Sequence, residues 1–174
     1  MAVRPIVVVP HEALRTRAAE VTEITDAIRA LARDMAETMY KAPGIGLAAN
    51  QVAELIRLIV LDVEYPYADP KNKKKRPVFI INPVISYVEG QCVREEACLS
   101  VPEFNIEIKR PEFVTVEGMD LDGKALKIDA DGLLARAVQH EIDHINGTTL
   151  LERASPLKRS LYRRKIKKSA RRER

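Results

Sequence analysis

Apolar residues recur along this chain with two different periods, and each change of period marks an element. Ile6-Val7-Val8-Val9 is an unbroken apolar run closed by Pro10 and reads as a short strand, followed by a single turn over Glu12-Ala-Leu-Arg15. From Thr25 or Asp26, both able to cap a helix, to about Tyr40, the residues Ile28, Leu31, Ala32, Met35 and Met39 fall on one helical face. Pro43-Gly44 ends that helix. Ile56 to Val63 reads as a strand, and Glu64 to Arg76, with Pro66, Pro70 and Lys73-Lys74-Lys75-Arg76, as an exposed loop. Val78–Ile81 and Val84–Val88 read as strands interrupted by Asn82-Pro83. Phe113–Val116 and Ala125–Ile128 flank Asp122-Gly123 as a hairpin. From Gly132 to Ile145 the pattern turns apolar on nearly all sides, which is expected of an enclosed helix, with Asn146-Gly147 as its stop. Beyond Pro156 a basic helix is expected, with Leu157, Leu161 and Ile166 as a narrow apolar seam.

Composition adds bounds. A chain of 174 residues with 46% hydrophobic and 31% charged residues fits one domain able to bury a core without disulfides. The N-terminal apolar run is too short and too Pro-broken for a signal peptide, and no stretch approaches a membrane span, so an intracellular, cytoplasmic protein with no membrane contact is expected. Cys92 and Cys98 then sit in a reducing compartment, where metal binding or catalysis is favoured over a bridge. The formal charge of +4 is unevenly spread. Ten of the 29 Lys and Arg and one of the 25 acidic residues fall between Lys158 and Arg174, giving a tail near +9 on a body near −5. A basic arm of that kind suits a polyanionic partner.

The enclosed helix carries His140-Glu141-Ile142-Asp143-His144. Residues four apart share a helix face, so both imidazoles can aim at one divalent metal while Glu141, one position round, lies beside that point as a proton carrier. The expected class is therefore α+β: antiparallel β-sheets packed around a buried central metal-binding helix, with a C-terminal basic helix. A catalytic site of this kind needs a third ligand, for which Cys92, Cys98 and His11 are the candidates. Gly44-Ile-Gly-Leu-Ala-Ala-Asn-Gln51 formally matches a dinucleotide fingerprint, but a helix precedes it and no crossover helix follows, so close backbone packing is the better reading. Two other readings share the helix motif: a zinc peptidase, and a polyanion-binding module with a structural metal.

Taken together, Gly44–Gln51, Glu96-Ala-Cys-Leu-Ser100 and Gln139-His-Glu-Ile-Asp-His144, in this order and spacing, resemble the three motifs of peptide deformylases; Ile80-Ile-Asn-Pro83, Asp122-Gly-Lys124 and Ala130–Leu134 are similar too. The likeness covers residues 4 to 160. It implies that Cys98, His140 and His144 bind one metal, Fe2+ natively with Zn2+, Ni2+ or Co2+ as substitutes. It also implies catalytic roles for Glu141, for the Gln51 side chain and for the Leu99 N–H, and a substrate site at Ile45, Gly46, Leu133 and Ala137. The substrate implied is the formyl-methionyl end of a nascent chain. Residues 1–157 would form the catalytic domain and 158–174 a helical tail that reaches the ribosome or its RNA. Two positions depart from the family pattern: Ala97 stands where glycine is usual, and Arg136 stands near the expected methionine pocket.

Overall fold

The structure is a computed structural model that describes residues 2–68 and 74–172; part of the expected Glu64–Arg76 loop, residues 69–73, lies outside the described residues. Helix α1, Asp26–Lys41, starts where Thr25 accepts a hydrogen bond from the Ile28 N–H, as its capping residue type suggests. A five-stranded antiparallel sheet follows, built from β1 (Gly46–Ala48), β2 (Leu58–Leu61), β3 (Val78–Glu89), β6 (Phe113–Met119) and β7 (Ala125–Ala130) in that order. The intervening β4 (Cys92–Cys98) and β5 (Val101–Arg110) pair only with each other. Helix α2, Gly132–Ile145, then leads through the single turn α3, Leu150–Arg153, to α4, Pro156–Arg172. The class is α+β with antiparallel sheets, as expected.

Side chains of β2 alternate between two cores. Leu58 and Val60 face α1 and pack with Leu31, Met35 and Met39, while Ile59 and Leu61 face α2 and pack with Ala135, Val138, Ile142 and Ile145. With both faces covered, β2 reads as a continuous apolar run rather than an alternating one. A third core joins the β4–β5 pair to α3 and α4 through Val101, Ile106, Ile108, Leu150, Leu151 and Tyr162.

The structure corrects three expectations. Ile6–Val9 is not a strand. Its N–H groups go to two unrelated segments, Val7 to the Gln51 carbonyl and Val9 to the Ser100 carbonyl, so no ladder can form. The strands expected on either side of Asn82-Pro83 are one strand, β3, with a register shift there. Asn82 sits at φ +51 and its side chain bonds both the N–H and the carbonyl of Val21. Gly118 on β6 faces this irregularity, where a Cβ would come within 2.7 Å of Ile80 and of the Ile81 carbonyl oxygen. On α4 the seam is different: Leu157 and Leu161 are exposed, whereas Tyr162 is buried and Ile166, one turn on, packs beside it.

Candidate metal centre

α2 supplies two imidazoles from one face. The His140 and His144 rings stand 5.0 Å apart between centroids, their planes at 68°. The last residue of β4 supplies the third donor, with Cys98 Sγ 3.1 Å from His144 Nε2. The ligand atoms of Cys98, His140 and His144 all lie within 4.8 Å of one another, and no other group of three such residues does so among the described residues. Neither remaining candidate joins them. His11 accepts a hydrogen bond from the Ala13 N–H, and Cys92 lies at the far end of β4.

The donors fit a divalent ion. His140 Nδ1 is bonded to Glu96 Oε2 at 3.0 Å, which leaves its Nε2 free as a ligand atom. One thiolate and two imidazoles form a borderline-soft set that suits Fe2+, Co2+, Ni2+ or Zn2+, and three protein donors leave a position open for chemistry. Glu141 Oε2 is buried beside them without a hydrogen-bond partner, as befits a group waiting for a ligand.

Glu141 is held by packing. Its carboxylate lies against the Gly46 backbone so closely that a Cβ at residue 46 would stand 2.5 Å from Glu141 Oε1. Burial raises its pKa to about 7, against the pull of a charged His140. Gln51 is fixed at both ends. Its Oε1 accepts from the Ala48 N–H at 2.9 Å, and its Nε2 donates to Ser100 Oγ at 3.2 Å and approaches Cys98 Sγ at 3.8 Å. Leu99 and Ser100 form the turn between β4 and β5, and Leu99 reaches over Gly44.

These groups line one cleft of about 370 Å³, with Ile45, Gly46 and Gln51 on one side, Glu95 to Leu99 on another, and Leu133, Arg136, Ala137, His140 and Glu141 along α2. Every expected site residue except His144 is among them, and His144 lies beneath, 1% exposed. Ala97 carries no strain, because it is not among the positive-φ residues.

A second set of residues supports His140, and sequence reasoning missed its role. Arg110 bonds Glu96 with Nε at 2.5 Å and Nη2 at 2.9 Å, and reaches Asp143 Oδ2 with Nη1 at 2.9 Å; Asp143 is also gripped by Arg153. Burial alone would raise the Glu96 pKa, but hydrogen bonds from His140 and Arg110 outweigh it and bring it to about 2. Glu96 therefore stays ionised and fixes the His140 ring. A legible signal existed: Ile106, Ile108 and Arg110 alternate with Glu107 and Lys109, placing Arg110 on the inward face of a strand.

A family model described as polypeptide deformylase matches residues 3–160. The peptide deformylase of Thermodesulfovibrio yellowstonii is 47% identical over 167 residues, covering 96% of this chain and 98% of that protein, and that of Rhodopseudomonas palustris is 47% identical over 173 residues, covering 99% and 97%. The crystal structure of a peptide deformylase from Legionella pneumophila superposes with a TM-score of 0.88 at 41% identity, covering 99% of this chain and 98% of that one. That of Ehrlichia chaffeensis peptide deformylase in complex with actinonin gives 0.87 at 38% identity, covering 97% and 98%. With near-complete coverage on both sides, the chain belongs to the polypeptide deformylase family.

Proposed function

We propose that this cleft performs the reaction for which the family is named. The chain is a metal-dependent hydrolase that removes the formyl group from the N-terminal formyl-methionine of nascent polypeptides, releasing formate. The observation that carries the residue roles is the convergence of Cys98, His140 and His144 beside the buried, unpartnered carboxylate of Glu141.

Cys98, His140 and His144 hold one divalent ion, ferrous in the cell, with zinc, nickel or cobalt as substitutes. Bound there, the ion supplies Lewis-acid activation for a water and for the formyl oxygen. Glu141 takes a proton from the attacking water and passes it to the departing amine nitrogen as the C–N bond breaks. Burial raises the pKa of this carboxyl, which helps it hold the proton between the two transfers. Gln51 Nε2 and the Leu99 N–H donate to the oxygen that gains negative charge. Because the Ala48 N–H and Ser100 already fix the Gln51 amide, no reorganisation is needed during the reaction. β1 is an edge strand, which supports entry of the peptide as an added strand along Ile45 and Gly46, its methionine side chain enclosed by Ile45, Leu133 and Ala137.

The donor set disfavours the rival readings. A peptidase of this helix type uses a histidine or glutamate as third ligand, but here the third donor is Cys98, and Glu96 binds the far nitrogen of His140. A structural zinc wants four protein ligands, and among the described residues three converge. Formate release from formyl-Met-Ala-Ser by anaerobically purified protein tests the proposal, with metal content measured in parallel. The expected result is one ion per chain and one formate per free amine produced. No formate with iron, nickel, cobalt or zinc would overturn it.

Residues 1–157 act as the catalytic domain, and residues 158–174 as a basic arm that holds the enzyme near ribosomal RNA in the cytoplasm. Arg163, Arg164 and Lys167 on α4 support this, being exposed along one groove. No helix among the described residues is long and apolar enough to cross a membrane. Replacing Arg163, Arg164 and Lys167 by alanine keeps Tyr162 and Ile166 in the third core; it should weaken ribosome co-sedimentation at low salt while sparing hydrolysis of short peptides.

A further inference from the structure

Four charged side chains besides the histidine line the cleft, and three of them are accounted for. Glu96 is bound by Arg110 and His140, Glu141 faces the metal ligands, and Glu95 Oε1 accepts from Asn105 Nδ2 at 2.8 Å. Arg136 makes no hydrogen bond or ion pair among the described residues. It stands on α2 one turn before His140, on the face shared with Leu133 and Ala137, and it is half-buried. Its aliphatic stem can therefore complete the apolar wall while its guanidinium lies at the rim, with five donors and no anion. A cation in a partly desolvated cleft acts on whatever enters more strongly than one on an open surface.

We infer that Arg136 makes the cleft select nascent chains that carry Asp or Glu at one of the two positions after the formyl-methionine. The inference rests on the deformylase reading of this cleft and adds the class of peptide it prefers. The carboxylate of such a side chain meets the guanidinium as its missing partner, and a lysine there is repelled. Glu95 lies on the opposite wall and works the other way, but it is exposed and already engaged by Asn105, so water and salt screen it more.

The test compares kcat/KM for formyl-Met-Ala-Ala with peptides that carry Glu or Lys at the second or third position, using wild type, Arg136→Leu, Arg136→Lys and Glu95→Gln. Wild type should prefer Glu over Lys by about threefold to tenfold at low salt, chiefly through KM, and this preference should shrink at about 0.5 M salt. Arg136→Leu should flatten the ratio, Arg136→Lys should keep most of it, and Glu95→Gln should widen it. Equal rates for Glu and Lys peptides in wild type would overturn the inference. So would a preference that survives Arg136→Leu, or an Arg136→Leu effect that lowers every peptide by one factor, which would mark a wall residue. Absence of formate from every peptide would instead overturn the deformylase reading itself.

Discussion

The ionic groups around α2 and those on α4 make bonds of similar length in opposite surroundings. Arg110 and Glu96 approach to 2.5 Å with side chains 4% and 8% exposed; Lys165 and Glu103 also approach to 2.5 Å, but with side chains 53% and 75% exposed. Length alone therefore says little about what either pair contributes. In the buried set each member has several partners, and removing one strands a charge away from water. On α4 solvent replaces a lost partner at once, so those basic side chains remain available to something outside the molecule. The chemistry is organised by the first kind of region and leaves the second free.

Removal of a metal ligand should have the largest effect on the buried region. Cys98→Ala is expected to lose the ion and all measurable formate release, whereas Cys92→Ala, outside the cluster, should change neither; elemental analysis and initial rates on the two variants check this. Next comes the oxyanion contact. Gln51→Leu should lower kcat by a factor on the order of 10²–10³, about 3–4 kcal/mol, with little change in KM. Loss of binding with normal kcat would reduce Gln51 to a substrate clamp.

The supporting ion pairs sharpen the contrast directly. Arg110→Met leaves Glu96 with His140 alone and Asp143 with Arg153 alone, and should destabilise the fold by up to about 3–5 kcal/mol in urea titrations and weaken metal retention about tenfold or more. Lys165→Ala should leave the urea midpoint unmoved. If the two variants are equally stable, burial does not decide the worth of these pairs. Acid gives a smaller, graded version of the same test on the metal-free protein. Because the folded Glu96 titrates at about 2, below its ordinary 4.5, its contribution is present above pH about 4.5 and is lost as pH falls towards 2. Arg110→Met should shift that loss to higher pH, as read by circular dichroism.

How much of this was legible depended on where the hydrophobic signal and the function coincide. The buried helix carries both, so His140, Glu141 and His144 were readable from four-residue spacing alone, and Thr25 from its capping chemistry. The β4–β5 hairpin hides its signal because two inward positions are charged: Glu96 and Arg110 break the apolar alternation that would announce a strand. Their pairing spans 14 residues, and the link from Arg110 to Asp143 spans 33, which no local pattern encodes. Cys98 over Cys92 was chosen by family resemblance, and the geometry has a local cause. The register slips near the turn, so that Cys98 faces Val101 where an unbroken ladder would give Phe104, and Cys98 Sγ comes to His144. On α4, Leu157 and Leu161 misled because a helix that is basic nearly all round buries only where a neighbour exists. That neighbour meets Tyr162, whose hydroxyl donates to the Pro102 carbonyl.

The central claim is that Cys98, His140 and His144 hold the ion while Glu141, packed against Gly46, moves the proton and is not a ligand. Glu141→Ala, purified without oxygen, tests it most directly by metal content and formate release on one preparation. One ion per chain, an unchanged fold and a fall in turnover of at least about 10²–10⁴ is the predicted result. An ion lost together with the activity, or retained with near-normal turnover, would contradict it.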